Sequence, residues 1–287
     1  MSEKPPIELK DIAQESEPKS ETGLEIVETP ASKQFVEHAN EIHEAIEHDK
    51  KITYGQVADL RKDLEQFKFD VCGEQMTIAE IKQIPDFQHN YEIWKKIMSG
   101  ELISRWSQNE EDLTYLLPKV AQVLVEEYNK KNEETFKIHD YGVEDLMDLK
   151  LSNIKRITPD TIKNFKDFKA NIFLDGLTEI SDESMLELSK SSSYLISLSS
   201  LTSLSDKQAE YLSQFNGGRL YLNSIKSLSD YAANKFAHSK VTYVLLRGVE
   251  TISDSALLQL EGTKVVLSDT QKERLKSLKA KQNASRS

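Results

Sequence analysis

Two hydrophobic patterns follow one another along the chain. In the first, Phe35, Ala39, Ile42 and Ile46 recur at steps of four, three and four, one face of a helix opening at Ser32. Lys50-Lys51 closes that helix with cations at the negative end of its dipole. Thr53 and Gln56 have the spacing of a capping box, and Val57, Leu60, Leu64 and Phe67 form the stripe of the next helix. Phe67, Phe69 and Val71 alternate ahead of Gly73, as in a short β-hairpin arm. Thr77 and Glu80 open a further helix, which Pro85 stops after about two turns. Phe87, Tyr91, Trp94 and Ile97 make another stripe, ended near Ser99-Gly100. Asn109 can cap a short helix through Leu116. Pro118 suits the first turn of a helix that buries Ala121, Leu124, Val125 and Tyr128. Residues 32–145 thus read as a small, mostly α-helical domain.

The second pattern is a repeat. Pairs of apolar residues two apart end on Leu151, Leu174, Leu198, Leu222 and Leu246, at spacings of 23, 24, 24 and 24. Three residues on come Ile154, Leu177, Leu201, Ile225 and Val249; six on come Ile157, Ile180, Leu204, Leu228 and Ile252. The seventh residue is always a hydroxyl: Thr158, Ser181, Ser205, Ser229, Ser253. Eleven and fourteen on lie Ile162/Phe165, Met185/Leu188, Ala209/Leu212, Ala233/Phe236 and Leu257/Leu260. An apolar pair separated by one residue is a short strand with both members on one side. The hydroxyl is a helix N-cap, followed by Pro159 once and by Asp182, Asp206, Asp230 and Asp254 in the other copies, where an anion favours the helix start. Ser205 with Gln208 completes a capping box. Val265 and Leu267 begin a sixth strand. A closing helix from Thr270 is expected to turn Leu275 and Leu278 inward and Lys272, Arg274, Lys276 and Lys279 outward, the polar-backed end that a stack of repeats requires.

These units resemble the leucine-rich repeat family, most closely the bacterial variety with Leu-x-Leu-x-x-Leu-Thr-x-Leu-Ser-Asp followed by a short helix. Leu-Thr-Glu-Ile-Ser-Asp (177–182) and Leu-Thr-Ser-Leu-Ser-Asp (201–206) carry the likeness, which covers about 149–269. The family's asparagine or cysteine ladder position is aliphatic here in all five copies, at 154, 177, 201, 225 and 249, so neither the ladder nor a strong curvature is implied. The expected fold class is α/β: a short strand–helix solenoid with a mostly α-helical N-terminal domain. The expected divisions are a disordered acidic segment 1–31, the helical domain 32–145, five repeats 146–268, and a capping helix and basic tail 269–287.

Charge and composition refine this picture at the ends. Residues 1–31 hold four of the seven prolines and little apolar periodicity, too little to offset the cost of ordering. Residues 1–50 carry 13 acidic and 5 basic side chains, whereas 264–287 carry 7 basic and 2 acidic. The net charge of −11 argues against a broad nucleic-acid-binding surface. No apolar run is long enough to span a membrane, and the first residues lack the apolar core of a secretory signal. The one cysteine, Cys72, reads as a small core residue, compatible with a reducing compartment, and the location expected is cytoplasmic.

Little in the sequence points to chemistry. His38, His43 and His48 are spaced by five, about 140° of helix rotation, which denies them the stacking of metal ligands four apart; a solvated helix face is expected. There is no phosphate loop, no dinucleotide fingerprint and no nucleophile elbow. The serines 191–193 read as a loop. No catalytic residue, metal or cofactor is expected. The informative residues face out from the strands. Phe173, Tyr221 and Leu245, middle residues of their pairs, form an exposed row, with Lys150 and Ser197 in the same register. Asp175, Asn223 and Arg247 follow the second leucines. An apolar row rimmed by polar groups marks an interface. The expected role is a non-enzymatic protein–protein interaction module with a protein partner, binding through Phe173, Asp175, Tyr221, Asn223, Leu245 and Arg247. Two alternatives stand beside it: a bacterial effector or enzyme whose activity lies in the helical domain while the repeats present substrate, and a purely structural solenoid.

Overall fold

The computed structural model describes residues 25–26, 30–48, 53–66, 68–100, 113–138 and 148–284. The chain divides into two compact units, residues 1–87 and 88–287. The helix expected at Asn109 and the lysine pair 50–51 fall largely outside the described residues. Its described end, residues 113–117, is not helical.

In the first unit, β1 (Glu25–Ile26), β2 (Lys68–Val71) and β3 (Glu74–Thr77) form an antiparallel sheet in that order. β1 lies inside the segment expected to be disordered; most of that segment is outside the described residues. The β2–β3 hairpin turns on Cys72 and Gly73, whose φ values are 53° and 87°. Positive φ at both central positions is the turn that suits a two-residue hairpin, and glycine takes it without strain. Cys72 is therefore a half-buried turn residue rather than a core residue. Thr77 caps α3 (Ile78–Ile81) with the capping box intact. That helix runs one turn instead of two, since proline disfavours helical geometry in the residue before it, here Ile84.

The helices α1 (Pro30–Glu47) and α2 (Tyr54–Gln66) pack together. Thr53 and Gln56 cap α2 as expected, with Gln56 N–H donating to Thr53 Oγ1 at 3.3 Å. Of the stripe assigned to α2, Val57 is 52% exposed and Leu60 half-buried, while Asp63, outside that stripe, is buried. His38 Nδ1 meets Asp63 Oδ2 at 2.5 Å, joining the two helices. His38 is thus half-buried and paired, whereas His48 is exposed as expected. A buried carboxylate requires a partner, and the hydrogen bond to Asp63 raises the His38 pKa, with Glu41 and Asp59 adding to the attraction. The fold favours the protonated imidazole. Its contribution is complete below the ordinary histidine pKa of about 6.5 and is lost as pH rises through the higher midpoint of His38 itself. An NMR titration of the full chain is expected to put that midpoint above 6.5, and Asp63→Asn to bring it back down. An unshifted parent midpoint would show that the pair does not form in solution.

The second unit begins with α4 (Phe87–Met98), whose Tyr91, Trp94 and Ile97 are buried, and α5 (Pro118–Ile138), which buries Ala121, Leu124, Val125 and Tyr128. Buried Asn90 accepts from the backbone N–H of Thr114 and of Tyr115, and the Trp94 indole donates to Tyr115 O at 3.1 Å. These bonds hold 113–117 to α4, and a β-bridge from Tyr115 to Arg156 joins the same segment to the first repeat. α5 packs on the first repeat helix, so the helical stripe continues directly into the repeats.

Each repeat supplies one strand and one helix: β4 (Leu149–Lys150) and α6 (Pro159–Lys163), β5 (Asn171–Phe173) and α7 (Asp182–Ser189), β6 (Leu195–Ser197) and α8 (Asp206–Ser213), β7 (Arg219–Tyr221) and α9 (Asp230–Ala237), β9 (Tyr243–Leu246) and α10 (Asp254–Gln259). β11 (Val265–Leu267) and α11 (Asp269–Ala284) follow. The strands form one parallel sheet in chain order, and the helices α6 to α11 pack on one another in sequence. Parallel strands joined by crossovers of one hand, in monotonic order, put every helix on the same face. The core lies between the two layers. Leu149, Ile172, Ile196, Leu220 and Val244 and the five leucines that end each pair are buried, as are the residues three, eleven and fourteen further on. At six on, Leu228 and Ile252 are buried, whereas Ile157, Ile180 and Leu204 are half-buried. The buried two sit in β8 (Ser227–Leu228) and β10 (Thr251–Ile252), a small parallel sheet at the corner.

All five hydroxyls are N-caps. Each accepts from the backbone N–H three residues on: Thr161, Ser184, Gln208, Ala232 and Ala256. The aspartates that follow them also join neighbouring repeats: Ser229 donates to Asp206 and Ser253 to Asp230. Ser191 and Ser193 are buried, donating to Phe165 O and Phe168 O at 3.0 and 3.2 Å. Residues 191–193 form a loop as expected, with Ser192 exposed, and the buried Ser191 and Ser193 satisfy carbonyls at the end of the preceding repeat.

Candidate strand-face site

The face of the sheet opposite the helices carries the residues singled out from the sequence. The pairing register places Lys150, Phe173, Ser197, Tyr221, Leu245 and Val266 side by side across all six strands. Adjacent strands lie about 4.8 Å apart, so this row is about 24 Å long. Phe173, Tyr221 and Leu245 are half-buried rather than fully exposed, and Lys150 is exposed. Ser197 is only 1% exposed, although it faces the same way. It is small, it stands between Phe173 and Tyr221, and its hydroxyl donates to Asp175 Oδ1 at 2.6 Å.

Of the polar residues assigned to the site, Asp175 is engaged within the fold. The same Oδ1 accepts from the Ser199 N–H at 2.7 Å, joining the second repeat to the third. Asn223 occupies the equivalent position two repeats on, with its Oδ1 shielded from solvent and without a hydrogen-bond partner. Arg247 is exposed. It adds to the pull that holds the Asp269 carboxyl below its ordinary range, a shift due first to the Lys272 hydrogen bond.

A second row was not singled out from the sequence: Asn171, Leu195, Arg219 and Tyr243 are paired across β5, β6, β7 and β9. Lys264 continues it beside β11, one residue before Val265 pairs with Val244. Tyr243 is 48% exposed, the most open aromatic of this face. The Arg219 guanidinium lies 5.5 Å from the centre of the Tyr194 ring, a cation–π arrangement. The signal that could have found this row is the period of two: residues two before the middle of each pair share its face.

Approach of the next repeat is tightest at two glycines beside this face. A Cβ on Gly176 would stand 2.3 Å from Ser152 O, and one on Gly248 2.0 Å from Asn223 O. Backbone touches backbone there, so no side chain fits. Among the described residues no group of three or more His, Cys, Asp or Glu is placed to hold a metal ion, and no helix is long and apolar enough to cross a membrane. No protein-family model, curated protein or solved structure matches the chain.

Proposed function

We propose that the repeats form a leucine-rich-repeat-like solenoid and that the chain is a non-enzymatic interaction module whose strand face binds another protein. The observation that carries this reading is the in-register line of Phe173, Tyr221 and Leu245, with Tyr243 beside it, on the sheet face opposite the described repeat helices. Helices cover one side of the sheet and take up its hydrophobic requirement. On the other side Phe173, Tyr221 and Leu245 are only half-buried among the described residues. Large half-exposed apolar side chains with polar neighbours are the composition of interface centres.

The test is a pull-down with the full chain, followed by titration of the captured partner. Aromatic anchors at the centre of an interface are worth about 2 kcal/mol or more each. Tyr221→Ala is expected to weaken binding at least tenfold, by that measure, while leaving the melting temperature nearly unchanged. Parent-like binding by Tyr221→Ala would remove the strand face as the site. An early melt would mean that the ring serves the fold instead.

A further inference from the structure

We infer that the C-terminal half of the strand face takes an extended acidic peptide segment of a partner protein, with an aliphatic or aromatic side chain set between its carboxylates. This rests on the strand face being the binding site and adds the chemistry of the occupant. The two halves of the face differ in charge. Around β7, β9 and β11 the rows read Arg219, Tyr243, Lys264; then Tyr221, Leu245, Val266; then Asn223, Arg247, Ser268. Three cations and no acid stand among these nine positions. Around β4, β5 and β6 the corresponding positions hold Asp148 and Asp175 against one cation, Lys150. A cationic patch on a chain of net charge −11 stands out against its own background field.

The patch selects the occupant's chemistry. Arg247 and Lys264, both exposed, border an apolar centre of Tyr221, Leu245 and Val266, so a ligand must offer both carboxylates and apolar surface. Asp269 lies close to Arg247, but Lys272 already holds its carboxylate. The strip from β7 to β11 covers two strand spacings, about 10 Å, which three or four extended residues span at about 3.3 Å each. A nucleic acid fits poorly: three cations neutralise few phosphates, and the rest of an acidic chain repels the remainder of the polymer.

The experiment measures fluorescence anisotropy of labelled synthetic peptides with the full chain. One peptide alternates Glu with Leu, the second Lys with Leu, and the third Glu with Ser. The Glu–Leu peptide is expected to bind at least tenfold tighter than either of the others and to weaken as salt is raised. Arg247→Glu with Lys264→Glu, both at exposed positions, is expected to cost at least tenfold and to shift preference toward the Lys–Leu peptide. Lys163→Glu, at an exposed position of α6 in the helix layer, is expected to leave binding unchanged. Circular-dichroism melts of each variant verify that the fold is kept. Equal binding of the Glu–Leu and Lys–Leu peptides, or none of either, overturns the acidic-peptide assignment. If the Lys–Leu peptide binds and Tyr221→Ala abolishes it, the strand face stands as a site and only the charge preference falls. If the Glu–Leu peptide binds but ignores both Tyr221→Ala and the charge reversal, the strand face falls too.

Discussion

Leu198→Ala is expected to destabilise the repeats by about 2–5 kcal/mol, read as a shift of the chemical unfolding midpoint at unchanged slope. Leu198 directly follows the third strand of the sheet, β6, has no solvent exposure, and is flanked by its equivalents Leu174 and Leu222, also fully buried. Its N–H donates to Tyr221 O at 2.9 Å, one rung of a ladder in which Leu174 bonds Ser197 O and Leu222 bonds Leu245 O. Truncation leaves those rungs in place but opens a cavity between sheet and helix layers on both sides. Relaxation is restricted there, because each neighbour is held by the next repeat. The cost should therefore lie toward the upper part of the range. A shift below about 0.5 kcal/mol would mean that the side chain faces away from the core.

Residues legible from the sequence are those whose partners lie close along the chain. A cap hydroxyl and the N–H it accepts from are three residues apart, so one register of Thr and Ser located five helix starts. The strand face was legible for the same reason, since alternation is a property of neighbours, and the row from Phe173 to Leu245 stands in the expected pairing. Its degree of exposure was not. Ser197 is covered by side chains 24 residues away in either direction, and the Asp175 carboxylate is occupied by donors 22 and 24 residues on.

Other surprises share that origin. Ser191 and Ser193 bond carbonyls 26 and 25 residues earlier. His38 and Asp63 are 25 residues apart and lie on different helices, and a helical stripe drawn on apolar residues alone passes over a buried aspartate. The closing helix α11 shows the effect most plainly. Leu275 and Leu278 are only half-buried, and the residue it buries is Gln271. Arg274, expected to point outward, donates to Ile252 O at 2.9 Å and pairs with Asp254. Among the described residues no further corner strand follows β10, and the carbonyls of Val249, Glu250 and Ile252 are met instead by the Gln271 and Arg274 side chains of α11.

Deleting residues 264–287 is expected to have the largest effect of all: a melting temperature lowered by many degrees, and poor solubility. The deletion removes β11, whose pairing covers β9 along Val244, Leu245 and Leu246. It takes away Leu267 and the half-buried Leu275 and Leu278, exposing Leu246, Ile252, Leu257 and Leu260 at the end of the stack. It also strips the Gln271 amide from Val249 O and Glu250 O and the Arg274 guanidinium from Ile252 O. In a stack where each repeat contacts only its neighbours, stability is carried across interfaces, and an uncapped end frays inward. An open parallel edge is also a template for pairing with another copy, which is why lost solubility should accompany the lower melt. Gln271→Ala separates the polar from the apolar share of the cap. It keeps the strand and the leucines but leaves two carbonyls without donors, and is expected to cost about 1–3 kcal/mol. A parent-like melt after the full deletion would mean that the fifth repeat closes its own core. A parent-like melt for Gln271→Ala alone would mean that the cap acts through its strand and apolar contacts.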